Sequence, residues 1–131
     1  MKIVNDSIEF VTTLGTQIKV PLADLLFVEA NGKFINCHYY KGDESKKKVI
    51  NASLKTFNAL IENNPQFYKV HKSYIVNCMN VHDYGDYPEY FLKIPAPDHQ
   101  YVVPISRERK LEFHNHYRRL LGKLGLKKHK F

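Results

Sequence analysis

Side chains that donate hydrogen bonds or carry positive charge gather at two places in this 131-residue chain. Both have the chemistry to hold a phosphate or read a base edge. The first is His71-Lys72-Ser73, at the centre of the run Phe67-Tyr68-Lys69-Val70-His71-Lys72-Ser73-Tyr74-Ile75-Val76-Asn77. Apolar Phe67, Val70, Ile75 and Val76 flank it, so the run reads as strand, turn, strand with the polar trio at the turn. Lysine and serine there both donate, which suits phosphate oxygens or base edges. The same run also reads as a solvated turn of any β domain. The second place is Ser106-Arg107 with Arg109 close behind. The chain's four arginines (Arg107, Arg109, Arg118, Arg119) all lie in its last 25 residues. A guanidinium fork binds phosphate and guanine bidentately, as an ammonium group cannot.

The charge distribution points the same way. Residues 1–106 hold eleven lysines against eleven Asp or Glu, whereas residues 107–131 hold nine basic residues against Glu108 and Glu112. The whole formal excess of +7 therefore sits at the C-terminal end, the footprint expected of a polyanion partner. A solubilising tail, or a basic helix lying on an anionic membrane, would show the same excess.

The elements that must position these groups are mostly short strands. Ile8–Thr13 and Thr16–Val20 alternate apolar and polar residues on either side of Gly15. Leu25–Ala30 is a continuous apolar run suited to a buried strand, and Asn31-Gly32 signals a hairpin into a strand over Lys33–Tyr40. Gly42-Asp43-Glu44-Ser45 turns into Lys46–Ile50, whose three lysines fit a charged edge strand. A helix is predicted from Leu54 to Asn63, capped by Ser53, with Leu54, Phe57, Leu60 and Ile61 on one face and Pro65 beyond its end. Strands are expected again at Phe67–Val70, Tyr74–Asn77, Tyr90–Ile94 and Tyr101–Val103, with turns at 83–88 and 95–98. A C-terminal helix should follow Ser106, its stripe formed by Phe113, Tyr117, Leu120, Leu121 and Leu124. The expected layout is a lead at 1–7, one domain at 8–121 and a basic tail at 122–131, frayed over Lys127–Phe131.

If that last helix starts at once, Arg107 and Arg109 fall in its first turn, the unfavourable end of the dipole for cations. A phosphate docked there would relieve the conflict, with the Ser106 hydroxyl, free N–H groups and two guanidinium groups converging on it. If the helix starts later, the arginines sit in a loop.

Several functions find no support. No apolar run approaches the roughly 18–20 residues of a membrane span, and the N-terminus is not a signal peptide. Cys37 and Cys78 form no CxxC and fit ordinary half-buried positions in a reducing cytoplasm. His114 and His116 point to different helix faces, and His38, His82 and His99 lie in separate segments without HExxH spacing, so neither a metal nor a cofactor is expected. An enzyme is not expected either. Single-stranded nucleic acid binding would draw on nine Tyr and eight Phe as stacking platforms, although much of that aromatic content is needed for a core. A protein-interaction role through the basic tail is a further alternative.

The strand Leu25–Ala30, the Ser53-Leu54 helix start, the pattern F-x-x-V-H-[RK]-S-[YF]-[IV]-V-N at Phe67–Asn77 and the late Val103-Pro104-Ile105-Ser106-Arg107 together resemble the LytTR DNA-binding domain of bacterial response regulators of the LytR/AlgR type. The resemblance covers roughly residues 8–120. It implies a mostly β fold of small antiparallel sheets, with one mid-chain helix and a C-terminal helix. It implies double-stranded DNA as partner, read by loops that enter successive grooves, commonly at paired direct repeats bound by two copies. By that resemblance Lys72, with Ser73, would contact bases or phosphate, and Arg107, with Ser106 and Arg109, would contact a neighbouring groove. Asn31 and Lys33 match a third contact loop loosely, and His71, Tyr74 and Asn77 would hold the loop in shape. Family members often carry a receiver domain of about 120 residues ahead of this one. Here only a handful of residues precede it, so either control is expected from abundance, a partner protein or self-association, or the sequence is an excised domain.

Overall fold

Among the described residues every strand pairing is antiparallel, and three sheets share two cores. The computed structural model describes residues 1–86 and 89–125. Strands β1 (Lys2–Val4), β2 (Ser7–Val11) and β3 (Gln17–Pro21) form one small sheet. A 3-10 turn, Leu22–Asp24, leads into β4 (Leu25–Asn31), followed by β5 (Phe34–Lys41) and β6 (Glu44–Ile50). Helix α1 (Leu54–Ile61) precedes the hairpin of β7 (Phe67–His71) and β8 (Tyr74–Asn77), which joins the central sheet in the order β6-β5-β4-β8-β7. Strands β9 (Asp83–Gly85), β10 (Phe91–Pro95) and β11 (Gln100–Pro104) make the third sheet, and helix α2 (Lys110–Lys123) closes the described chain.

The central sheet is covered on both faces, which explains why Leu25-Leu26-Phe27-Val28 is apolar without alternation. Val28, Ile35, Cys37 and Tyr39 face a core with Ile8, Phe10 and Val20 of the first sheet and Leu54, Phe57 and Ile61 of α1. Phe27 and Val76 face a second core with Leu92, Ile94 and Val103 of the third sheet and Phe113, Tyr117, Leu120 and Leu121 of α2. Full burial of a side chain such as Phe57 or Phe113 contributes about 1.5–3 kcal/mol each. The Ser53 hydroxyl oxygen accepts from the Thr56 N–H at 3.1 Å, so α1 starts where its cap places it. Buried Tyr117 keeps its hydroxyl satisfied by donating to the Val81 carbonyl at 2.9 Å.

The fold is mostly β with two helices, as the sequence implies. Lys46-Lys47-Lys48 lies on β6, an outer strand of the central sheet. Four details differ. The lead at 1–7 is partly structured, because Lys2–Val4 pairs with Ser7–Glu9. Asp83–Gly85, expected in a turn, is an edge strand paired with Phe91–Lys93; Tyr87 and Pro88 lie outside the described residues. Leu124 stands one residue past α2 and is exposed. Cys37 and Cys78 are wholly buried, and burial pushes each thiol up to about 12. The tail residues 126–131 lie outside the described residues, whereas Arg118 and Arg119 are exposed on α2.

Candidate nucleic-acid interface

Two hairpin tips emerge at the same end of the central sheet. In the first, Asn31 pairs with Phe34, leaving Gly32 and Lys33 as a two-residue loop. Gly32 has φ +60°, the positive angle that a type II′ turn takes at its first position and that glycine adopts without strain. Asn31 and Lys33 are exposed there, with the Lys33 ammonium 5.4 Å from the Phe34 ring centroid. In the second tip, His71 pairs with Tyr74 and the loop is Lys72-Ser73. It contains no glycine. The loop is held instead by the His71 imidazole, whose Nδ1 accepts from the Ser73 N–H at 3.1 Å, while the Tyr74 ring packs edge-on at 5.6 Å. An acceptor Nδ1 requires the neutral ring. Burial first, and then the positive charges of Lys72 and Arg109, hold His71 below its ordinary pKa, with Glu108 and Glu89 pulling the other way.

The two tips are fastened together, and a third segment is fastened to them. The Ala30 N–H donates to the Ser73 carbonyl at 2.8 Å, joining the base of one tip to the other. The Ser106 N–H donates to the Val70 carbonyl at 2.8 Å, and its hydroxyl donates to the same oxygen at 3.3 Å. Ser106 therefore lies beside Val70 at the edge strand β7, with Arg107 next to it and exposed. Strands in a sheet lie about 4.8 Å apart, so the first tip and the Ser106 segment are separated by roughly 17 Å.

The start of the last helix combines the two alternatives. Arg107–Arg109 forms a single 3-10 turn, and α2 proper begins at Lys110. Ser106 makes no side-chain cap; its hydroxyl is spent on Val70, so it is not free to join the arginines around an anion. Lys110 turns its ammonium over the Tyr90 ring at 3.9 Å. Beside Arg107 lies a cleft of about 300 Å³ walled by His71, Tyr90, Ser106 and the exposed carboxylates Asp86 and Glu89.

Asn77 serves elsewhere than at the loop. Wholly buried at the far end of β8, it donates to the Leu22 and Leu25 carbonyls at 3.0 and 2.8 Å and accepts from the Met79 N–H at 3.1 Å. Sequence reasoning also missed a polar ladder behind the first tip, formed by Glu29, Asn36 and His38. Its signal was present in the two-residue spacing of Glu29 and Asn31, and of Asn36 and His38, on either side of the hairpin. Among the described residues no group of three or more His, Cys, Asp or Glu is arranged to hold a metal ion, and no helix is long and apolar enough to cross a membrane.

Comparison with known proteins bears on these segments. No curated protein matches the chain. Among solved structures, a similar one is the LytTr DNA-binding domain of a Bacillus cereus protein described as a methyl-accepting/DNA response regulator. The two superpose with a TM-score of 0.66 at 20% identity, over 86% of this chain and 97% of that one, which establishes a shared fold. The family model of the LytTr DNA-binding domain matches residues 15–118, a span that takes in both hairpin tips and the Ser106–Arg109 turn. The chain belongs to the LytTR family of DNA-binding domains.

Proposed function

We propose that this chain binds double-stranded DNA sequence-specifically as a transcriptional regulator, through Asn31 and Lys33, Lys72 and Ser73, and Arg107 with Arg109. One observation carries the reading. The backbone bonds Ala30 to Ser73 and Ser106 to Val70 draw three loops distant in sequence to one end of the central sheet. Lys33, Lys72 and Arg107 stand exposed there. Cations supply affinity by releasing counterions from the duplex, and Arg107 with the hairpin tips supplies base discrimination. Ser106 acts by holding Arg107 in place. The loops would enter successive grooves, and two copies would read a pair of direct repeats. Control through a regulatory protein partner, and a cytoplasmic setting, belong to the same reading. So does the absence of catalysis, since the family is one of DNA-binding domains.

Single-stranded binding is less well supported. It needs exposed aromatic platforms, and Phe10, Phe27, Tyr39, Phe57, Phe67, Phe113 and Tyr117 are all buried in the cores. No described aromatic residue is fully exposed. The test is selection of bound sequences from a random duplex library, followed by competition with the single strands. We expect an enriched pair of repeats whose centres are one or two helical turns apart, and no competition from either strand alone. An unenriched pool, or displacement by single strands, would overturn the reading.

A further inference from the structure

We propose that Glu29, partly buried behind the first hairpin tip, fixes the orientation of the Asn31 amide through a side-chain ladder and so makes Asn31 an adenine reader. The inference deepens the DNA-binding reading and rests on it. Alternation along the strands puts Phe27, Glu29 and Asn31 of β4 on one face with His38, Asn36 and Phe34 of β5, each opposite its register partner. Three bonds run along this face. The His38 Nε2 lies 2.7 Å from Glu29 Oε1. The Asn36 Nδ2 donates to the same oxygen at 3.1 Å, and the Asn31 Nδ2 donates to Asn36 Oδ1 at 3.1 Å.

The direction of every link follows from one group. An ionised carboxylate can only accept. Asn36 must therefore turn its NH2 toward Glu29, which points its carbonyl oxygen at Asn31. Asn31 must in turn spend one amide hydrogen on Asn36. Its own oxygen then faces away from the ladder, with the second amide hydrogen beside it. An acceptor and a donor side by side match the N6–H and N7 of adenine in the major groove. An unrestrained asparagine on a loop would lose freedom on binding and could present its amide either way round. The ladder sets the choice before DNA arrives.

The inner end of the ladder is anchored. His38 is buried, its ring stacked on Phe27 at 4.2 Å and set edge-on to Tyr101 at 5.3 Å. Facing an acceptor, its Nε2 must carry the hydrogen, and its Nδ1 has no partner among the described residues. Protonating that atom would bury an unmatched N–H. Burial accordingly holds the His38 pKa below its ordinary value, with Glu29 raising it and Lys47 and His99 lowering it further. On the other side Tyr74 stands opposite Glu29 on β8. Burial raises the Glu29 pKa, but the hydrogen bonds from His38 and Asn36, with Lys47 nearby, bring it below its ordinary value, so the group stays ionised.

The test replaces each adenine of the selected duplex in turn by 7-deazaadenine, which lacks the N7 acceptor, and measures affinity by mobility shift. Wild type should lose roughly fivefold at one adenine, the worth of one hydrogen bond. Glu29→Gln should abolish that loss, since a glutamine can donate as well as accept. Adding Glu29→Gln to Asn31→Ala should change the loss no further. Asn36→Ala cuts the ladder without touching the Glu29–His38 contact and should abolish the loss as well, which decides the matter if Glu29→Gln folds poorly. A loss of unchanged size in both ladder variants, or no loss anywhere in a wild type that still prefers its selected sequence, would overturn the inference. A wild type without any sequence preference would instead overturn the DNA reading beneath it.

Discussion

Arg107→Ala is expected to weaken binding to the selected duplex by about 1–3 kcal/mol, the worth of a bidentate base contact. That corresponds to roughly 5- to 150-fold in affinity. Binding to random duplex should fall only a few-fold. Arg107 is exposed, stands in a 3-10 turn fastened to Val70 through Ser106, and makes no ion pair among the described residues. Its removal should therefore leave the stability of the free protein unchanged, and any effect on binding belongs to the contact itself. Salt dependence separates the two contacts it could make. Loss of a phosphate contact lowers the slope of log affinity against log salt by about 0.9 on every sequence. Loss of a base contact leaves the slope nearly intact and flattens sequence preference. Equal losses on selected and random duplex, with a shallower slope, would make Arg107 a backbone clamp.

Asn77→Ala should cost the fold about 2–4 kcal/mol, because it removes a hydrogen-bond partner from each of three groups, at roughly 0.5–1.5 kcal/mol apiece. These groups are the Leu22 and Leu25 carbonyls, which keep the Leu25 N–H and the Asn80 amide as their other donors, and the Met79 N–H. A loss of that size is a large part of the roughly 5–15 kcal/mol that holds a domain together. Urea unfolding should show a lower midpoint with an unchanged slope. Asn77→Asp should be nearly as damaging, since a carboxylate accepts from Met79 but cannot donate to the two carbonyls. Molecules that remain folded should bind DNA as wild type does, because Asn77 lies at the opposite end of β8 from the Lys72-Ser73 loop. A cost below about 1 kcal/mol would mean that the backbone finds other partners there.

Much of this architecture can be read from local pattern. Leu25–Val28 is apolar at every position because β4 is covered on both faces, and the Ser53 cap and the Leu54, Phe57, Ile61 stripe place α1 within its first turn. The stripe through Phe113, Tyr117, Leu120 and Leu121 packs as its spacing requires, but Leu124 does not, because α2 ends at Lys123. Features set by pairing at a distance were illegible. Asp83-Tyr84-Gly85 has turn-like composition and becomes a strand through its pairing with β10, and Lys2–Val4 is placed by its pairing with β2 and by Ile3 against the first core. The same division holds at the interface. Lys72 and Arg107 announce themselves by residue type and motif. That Ser106 bonds to Val70, rather than offering its hydroxyl to an anion, depends on where α2 packs. Glu29, Asn36 and His38 read singly as ordinary strand residues, and only the hairpin register turns them into a ladder ending at Asn31.

The central claim is that three loops separated in sequence form one DNA-binding surface at one end of the central sheet. Titrating isotope-labelled protein with the selected duplex, and following backbone amide shifts residue by residue, tests it most directly. The account predicts that the largest changes cluster at Asn31–Lys33, Lys72–Ser73 and Ser106–Arg109 together, saturating at one shared concentration, while β1 to β3 and α1 stay still. Changes centred on α1 or the first sheet, or confined to a single one of the three loops, would contradict it.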